Sequence, residues 1–151
     1  MAEYAGVMPA ETEELLKLPG IGSYTAGAVA SIAYGEPVPA VDGNVLRVIS
    51  RYRMDDRDML NAKVRKSVED DLQAVISQDR PGDFNQALME LGATVCIPNG
   101  MPKCGECPWK DSCKAHIQSK ETEFPKKAPK KIRTVEKKTI LIIQDAAVSY
   151  T

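Results

Sequence analysis

The sequence lacks the hallmarks of membrane and secreted proteins. None of its apolar runs approaches the ~20 residues that span a bilayer, and residues 1–9 contain no basic segment followed by an apolar stretch. Aromatic residues make up only 5% of the 151 residues. The remaining composition, 43% hydrophobic and 27% charged, is ordinary for a globular protein. We therefore expect a cytoplasmic protein of one domain, or one domain plus an appendage, and exclude a large multidomain enzyme.

Basic residues are missing from a long stretch in the first third of the chain. There is no Lys or Arg from Leu18 to Leu46, and residues 1–60 contain five basic and nine acidic side chains. Residues 120–138 reverse this balance, with eight basic and three acidic side chains. Such a basic run is either a solvated linker or a strip that binds polyanions. Because the net charge is only −1, composition alone does not indicate nucleic-acid binding.

Apolar residues recur at helical spacing through most of the chain, which predicts a mainly α fold. Thr12 is a possible N-cap of the first helix, and Gly35 follows the second. The five predicted helices cover Glu11–Leu18, Tyr24–Tyr34, Asn44–Arg53, Leu60–Ile76 and Asp83–Ala93.

The C-terminal part has a different character. Ser119–Lys138 contains two prolines and many lysines, which predicts an unfolded linker. Thr139–Ile143 is a β-rich run, and we expect it to be the first strand of a following domain that is cut off, because a lone strand has nothing to pair with.

Two short segments could serve either structure or chemistry. The turn Leu18–Ser23 contains Gly20 and Gly22 and precedes a helix whose free N–H groups could hold a phosphate, although such a turn can also be purely structural. Asp42 lies two residues before the N-terminus of the third predicted helix. There it could be a simple N-cap or a functional carboxylate.

Cysteine is absent outside one loop. The four residues are spaced Cys96-x7-Cys104-x2-Cys107-x5-Cys113, too close together to connect distant parts of a fold by disulfides. Clustered thiols in a reducing compartment favour a metal. The spacing leaves zinc and an iron-sulfur cluster both open, since there is a single C-x2-C pair and the only histidine is His116.

Four motifs in order resemble one enzyme family. They are Leu-Pro-Gly-Ile-Gly-x-Tyr-Thr-Ala-Gly-Ala at 18–28, Val-Asp-Gly-Asn-Val-x-Arg-Val at 41–48, Asn-Gln-Ala-Leu-Met-Glu-Leu-Gly at 85–92, and the cysteine loop. Together, over about residues 3–118, they resemble the A/G-mismatch-specific adenine DNA glycosylases of the helix-hairpin-helix superfamily. The resemblance implies a base excision repair enzyme of the bacterial cytosol or nucleoid. It would hydrolyse the N-glycosidic bond of adenine opposite 8-oxoguanine or guanine in double-stranded DNA, after base flipping.

The same resemblance implies the fold class and the domains. Residues 1–118 would be a partial helix-hairpin-helix glycosylase domain, mainly α, with a [4Fe-4S] cluster in the loop 96–113. Residues 119–138 would be a basic linker, and residues 139–151 the start of a truncated Nudix-like domain. The family usually has six residues between the first two cysteines, whereas this chain has seven.

The resemblance also implies roles for individual residues. Asp42 would stabilise positive charge on the sugar, with Asn44 and Tyr24 positioning the sugar and the water. Four cysteines would bind the cluster, with zinc as the alternative: Cys96, Cys104, Cys107 and Cys113. The predicted DNA-binding residues are Pro19, Gly20, Ile21, Gly22, Ser23 and Thr25.

Two rival functions stay open. The sister family, endonuclease III, has a lysine nucleophile at the place of Tyr24 and a Thr-His pair at the place of Gly43-Asn44. Tyr24 cannot form a Schiff base, which favours a monofunctional glycosylase. The other rival is a non-catalytic DNA-binding module. Because the family's general acid, a glutamate, lies well before the hairpin, we expect the chain alone to be inactive.

Overall fold

A computed structural model describes residues 4, 6–126, 136–141, 143–144 and 149–150. The α-helices are α1 Thr12–Leu15, α2 Ser23–Tyr34, α3 Gly43–Arg53, α4 Ala62–Gln73, α5 Pro81–Glu90 and α6 Lys114–Ile117. A π-helical turn, Leu91–Val95, continues α5, and 3-10 turns cover Cys104–Glu106 and Glu121–Glu123. The predicted mainly α fold is confirmed. Among the described residues, no helix has the length and apolar character needed to cross a bilayer.

Helix α3 forms the centre of the larger core. All seven residues from Val45 to Arg51 are buried, including Arg47 and Arg51. The surrounding elements α5, α6 and the π-helical turn all pack against it. The apolar residues of this core are Val41, Val45, Leu46, Ile49, Met59, Val68, Leu72 and Leu88. Because this stretch of α3 is enclosed, its polar residues must find partners within the protein.

A buried asparagine fixes the segment that leads into α3. Asn85 of α5 is 1% exposed; its Oδ1 accepts from the Ala40 amide at 3.0 Å. Its Nδ2 donates to Ser31 Oγ of α2 at 2.8 Å and to the Val38 carbonyl at 2.9 Å. These three bonds connect α2, α5 and residues 38–40. They therefore set the position at which Asp42 begins α3.

The predicted helices exist, with changed ends. The first covers only Thr12–Leu15, and its N-cap is Glu11 without a side-chain cap bond, so the interpretation of Thr12 as the N-cap is wrong. The fourth covers Ala62–Gln73 rather than Leu60–Ile76, and Asn61 caps its start by accepting from the Lys63 amide at 2.9 Å. The fifth does not continue as an α-helix to Ala93. Its last turn widens into the π-helix beside α3.

The predicted linker is wrong in its first part. Residues 119–126 pack on the helical body: Phe124 is 5% exposed, and its carbonyl accepts from Arg51 Nε at 2.9 Å. Burial of this ring and the bond to a buried arginine outweigh the Pro- and Lys-rich composition. Most of residues 127–138 lie outside the described residues.

The predicted C-terminal strand is also displaced. Residues 139–141 are described and do not form a strand, whereas β1 Ile143–Gln144 pairs antiparallel with β2 Ser149–Tyr150. The expectation that this strand has nothing to pair with is therefore wrong.

Candidate active site and cysteine cavity

The hairpin between α1 and α2 exposes backbone. Gly20 has φ +83°, a left-handed conformation that favours glycine, and Gly22 is extended and precedes α2 without a side-chain cap bond. Pro19, Gly20, Gly22 and Ser23 are exposed, while Ile21 packs towards the smaller core of Leu15, Ala26 and Ala30. The first amides of α2 therefore face solvent at a helix N-terminus, which suits an anion. Thr25 is half-buried within the first turn of this helix.

Asp42 is the N-cap of α3. Its Oδ1 accepts from the Val45 amide at 2.8 Å, and its Oδ2 accepts from Asn44 Nδ2 at 2.8 Å. The carboxylate is half-buried, so part of it faces solvent. The capping geometry is present, and it fixes a carboxylate beside the helix N-terminus. The predicted pair of Asp42 and Asn44 thus lies together.

Arg47 connects this pair to the cysteine loop. Its Nη2 donates to Asn44 Oδ1 at 2.7 Å and to the Gly92 carbonyl at 2.6 Å, and its Nε donates to the Cys96 carbonyl at 2.7 Å. Burial lowers the pKa of its guanidinium from the ordinary value. A continuous set of hydrogen bonds therefore runs from Asp42 through Asn44 and Arg47 to the backbone of Cys96.

A glycine allows this close packing. A Cβ on Gly92 would lie 2.6 Å from Asn44 Cβ and 2.9 Å from the Asn44 carbonyl oxygen. Only a residue without a side chain lets the π-helical turn approach the first turn of α3 so closely. The motif at 85–92 thus begins with Asn85, which fixes residues 38–40, and ends with Gly92, which accommodates Asn44.

Tyr24 lies at the start of α2. Its side chain is 38% exposed, and its hydroxyl contacts Met89 Sδ on α5 at 3.7 Å. The hydroxyl is not hydrogen-bonded to Asp42 or Asn44 in the described structure. It remains accessible from solvent.

All four cysteines line one cavity. Each of these cysteines is half-buried. Cys96 follows the π-helical turn, Cys104 begins a 3-10 turn, Cys107 ends it and Cys113 precedes α6. Burial raises the pKa of Cys104 to about 11, so the free thiol holds its proton and a metal must replace it.

The spacing of the cysteine sulfurs bears on the two predicted metals. A single tetrahedral zinc needs thiolate sulfurs about 3.8 Å apart. Among the described residues, the set of three donor atoms found within 4.8 Å of one another is Cys104, His116 and Glu121, so no three cysteine sulfurs come this close. A cubane binds each thiolate to a different iron and therefore accommodates sulfurs that are further apart.

The sequence patterns did not predict every residue that lines this cavity. Arg51 is 4% exposed and donates from Nη1 to the Ile97 carbonyl at 2.9 Å and to Cys96 Sγ at 3.3 Å. His116 and Glu121 complete the cavity wall. A basic residue within a helix usually indicates a solvated face, so only its position one turn after Arg47 could have drawn attention to Arg51.

Comparisons with known proteins agree with this geometry. The helix-hairpin-helix motif family matches residues 3–32. An adenine DNA glycosylase of Homo sapiens is 48% identical over 123 residues, which are 81% of this chain and 22% of that protein. One of Buchnera aphidicola subsp. Acyrthosiphon pisum is 36% identical over 129 residues, 85% of this chain and 37% of that protein.

Solved structures give the same class. A thermostable thymine-DNA glycosylase superposes with a TM-score of 0.68 at 31% identity, covering 78% of this chain and 53% of that one. A trapped covalent endonuclease III–DNA intermediate gives 0.62 at 32% identity, with the same coverage.

The fold is that of the helix-hairpin-helix DNA glycosylases, of the endonuclease III type. Within that class, the chain is a homologue of the adenine DNA glycosylases over most of its own length. It spans about a fifth of the length of the mammalian relatives it matches.

Proposed function

We propose that these residues are the hairpin- and cluster-bearing part of an adenine DNA glycosylase. The enzyme would act in base excision repair in the cytosol. It would remove adenine opposite 8-oxoguanine or guanine from double-stranded DNA. The observation that carries this proposal is the Asp42–Asn44 pair at the N-terminus of α3, in a chain that is 48% identical over 123 residues to a human adenine DNA glycosylase.

The proposed reaction is hydrolysis of an N-glycosidic bond. The bond between the sugar C1′ and the flipped adenine breaks, and the electron pair leaves with the base, which takes up a proton. Water supplies the oxygen that bonds to C1′ and loses a proton. Positive charge develops on the sugar before water attacks. Asp42 is half-buried beside a helix N-terminus, so its fixed carboxylate would stabilise this charge more effectively than water does. Asn44 and Tyr24 would position the sugar and the attacking water.

Arg47 is proposed as a positioning residue. It holds Asn44 Oδ1, which directs the Asn44 amide group towards Asp42. It is itself held by the carbonyls of Gly92 and Cys96. A change in the cysteine loop would therefore alter the orientation of the Asp42–Asn44 pair.

The hairpin is proposed as the element that binds the DNA backbone. With no Lys or Arg from Leu18 to Leu46, the exposed amides around Gly20, Gly22 and Ser23 would bind phosphate instead. Such contacts position the duplex without reading its sequence. Pro19, Ile21 and Thr25 would shape the same turn.

The cysteine cavity is proposed to hold a [4Fe-4S] cluster through Cys96, Cys104, Cys107 and Cys113. When bound, the cluster supplies a four-point connection across the loop and no step of the hydrolysis. The seven residues between the first two cysteines fit this role, since Lys103 N donates to the Val95 carbonyl at 2.9 Å and closes the loop. Metal analysis should return about four irons per chain. One zinc ion bound by four sulfurs, with no iron, would contradict this assignment.

Single-turnover cleavage tests the proposed activity. We expect free adenine from duplexes with adenine opposite 8-oxoguanine or guanine, and none from adenine opposite thymine. The assay uses both the chain alone and the chain preceded by a segment with the family's glutamate, and we propose that the chain alone is inactive. Borohydride trapping of a covalent complex would favour the endonuclease III-like rival. Duplex binding without cleavage in the extended protein would favour the binding module.

We also propose that residues 139–151 begin the Nudix-like domain that the resemblance implies. The paired strands β1 and β2 support a β-rich start at this position.

A further inference from the structure

One wall of the cysteine cavity brings together three different metal-binding groups. Donor atoms of Cys104, His116 and Glu121 all lie within 4.8 Å of one another. His116 Nδ1 lies 2.6 Å from Glu121 Oε1, and Glu121 is only 7% exposed. A thiolate, an imidazole and a carboxylate are all first-choice ligands of zinc and of its spectroscopic substitute cobalt.

Three separate elements hold these groups in place. Cys104 begins the 3-10 turn Cys104–Glu106, and His116 lies on α6. Glu121 begins the 3-10 turn Glu121–Glu123, which is held at its two ends. The Lys120 amide donates to the Ala115 carbonyl at 2.8 Å, and the Phe124 carbonyl accepts from the buried Arg51 at 2.9 Å. The donor set is therefore organised before any ion binds.

The separations suit one ion. Tetrahedral zinc places its sulfur, nitrogen and oxygen ligands about 3.3 to 3.6 Å apart, so small side-chain rotations bring the three donors onto one ion. The cysteine sulfurs are spread more widely, as described above. The three mixed donors therefore lie closer together than any three cysteine sulfurs, and suit a single ion better.

We propose that Cys104, His116 and Glu121 form a mononuclear site for a zinc-like divalent cation in the cluster-free chain. Binding replaces the thiol proton of Cys104 with the metal, and water completes the coordination. Since Cys104 is also a cluster ligand, the single ion and the cubane exclude one another. The chain then has two alternative metal states, one built on four cysteines and one on a single cysteine with His116 and Glu121. This site does not depend on the proposed glycosylase activity.

The first test uses the native chain after anaerobic removal of the cluster. Cobalt or zinc is added, and X-ray absorption measures the ligand shell. We expect one ion per chain with one sulfur and otherwise nitrogen and oxygen ligands. A shell of four sulfurs, or no binding, would overturn the proposal.

The second test identifies the ligands in a chain that cannot hold a cubane. Cys96→Ser combined with Cys107→Ser should still bind one cobalt ion and show thiolate-to-cobalt charge transfer. Adding His116→Ala or Glu121→Gln should weaken binding tenfold or more. Glu123→Gln is the matched control, because Glu123 is exposed in the same 3-10 turn and pairs with Lys126. Equal affinities for Glu121→Gln and Glu123→Gln, with unchanged far-ultraviolet circular dichroism, would contradict the site.

Discussion

At the residue scale, one arginine connects the candidate active site to the cysteine loop. Arg47 is 9% exposed and donates to three acceptors at 2.7 Å or less, on Asn44, Gly92 and Cys96. The planar guanidinium spreads five donors over three nitrogens in a fixed fork, whereas lysine carries its three donors on a single nitrogen. Arg47 is therefore not interchangeable with lysine, although both carry the same charge.

We predict that Arg47→Lys lowers the free energy of unfolding by about 1–3 kcal/mol, because at least one buried carbonyl loses its donor. It should also slow adenine release, since Asn44 loses its orienting partner. Thermal denaturation and single-turnover rates measure the two effects.

The matched control lies on the same helix. Arg53 forms an exposed ion pair with Asp71, so Arg53→Lys should change stability by less than about 0.5 kcal/mol. Equal effects of the two substitutions would show that Arg47 has no special connecting role.

At the element scale, the hairpin and the π-helical turn use glycine for different reasons. A Cβ on Gly22 would meet no heavy atom within 4 Å, and its backbone is extended, so the fold tolerates a side chain there. Gly20 has a positive φ and needs glycine whether or not DNA is bound. Substitutions at Gly22 and Gly20 can therefore distinguish a loss of DNA contact from a loss of stability.

We predict that Gly22→Val keeps the melting temperature and weakens binding to all duplexes alike, because the new side chain blocks the approach of a phosphate to the amides. Gly20→Ala should lower stability as well as binding. Fluorescence anisotropy on two duplexes of unrelated sequence measures the affinities. Selective loss on one of them would contradict a backbone grip.

The π-helical turn gives a second prediction at this scale. Gly92→Ala would place a Cβ against Asn44, which should cost about 1–3 kcal/mol through overpacking and displace the first turn of α3. Gly105→Ala is the control, because its Cβ would meet open space. Chemical denaturation of both variants checks the difference. Equal stability of the two would show that the turn can move away from α3 without cost.

Sequence patterns predicted the presence of the helices better than their first and last residues. Helical periodicity located α2 and α3 to within one residue, because apolar spacing reports burial directly. It placed the end of α5 wrongly, since widening into a π-helix depends on contact with α3. It also missed the packed segment 119–126: only the tertiary partner Arg51 explains why Phe124 is buried.

At the scale of the whole molecule, two polar connections join the parts that the sequence shows as separate motifs. Asn85 connects α5 to α2 and to the segment before Asp42, and Arg47 connects α3 to the cysteine loop. Sequence reasoning brought Asp42 and Asn44 together and placed the four cysteines in one loop. The connection between the two sites could not be predicted, because hydrogen bonds between residues 45 or more positions apart leave no local pattern.

The central claim concerns the charge of Asp42. Asparagine caps a helix about as well as aspartate, so Asp42→Asn should leave the melting temperature unchanged while removing the negative charge. If the carboxylate stabilises the developing sugar charge, the single-turnover rate of adenine release should fall about 10²- to 10³-fold. Duplex affinity, measured in parallel, should stay the same. Asp70→Asn on the exposed face of α4 is the control for loss of a surface charge.

The most direct measurement is therefore the single-turnover rate of adenine release by the protein that carries these residues, compared between the native chain and the Asp42→Asn variant at equal duplex affinity. The predicted result is a loss of about two to three orders of magnitude in the chemical step alone. A near-normal rate for Asp42→Asn would contradict it, and would leave Asp42 as a helix cap.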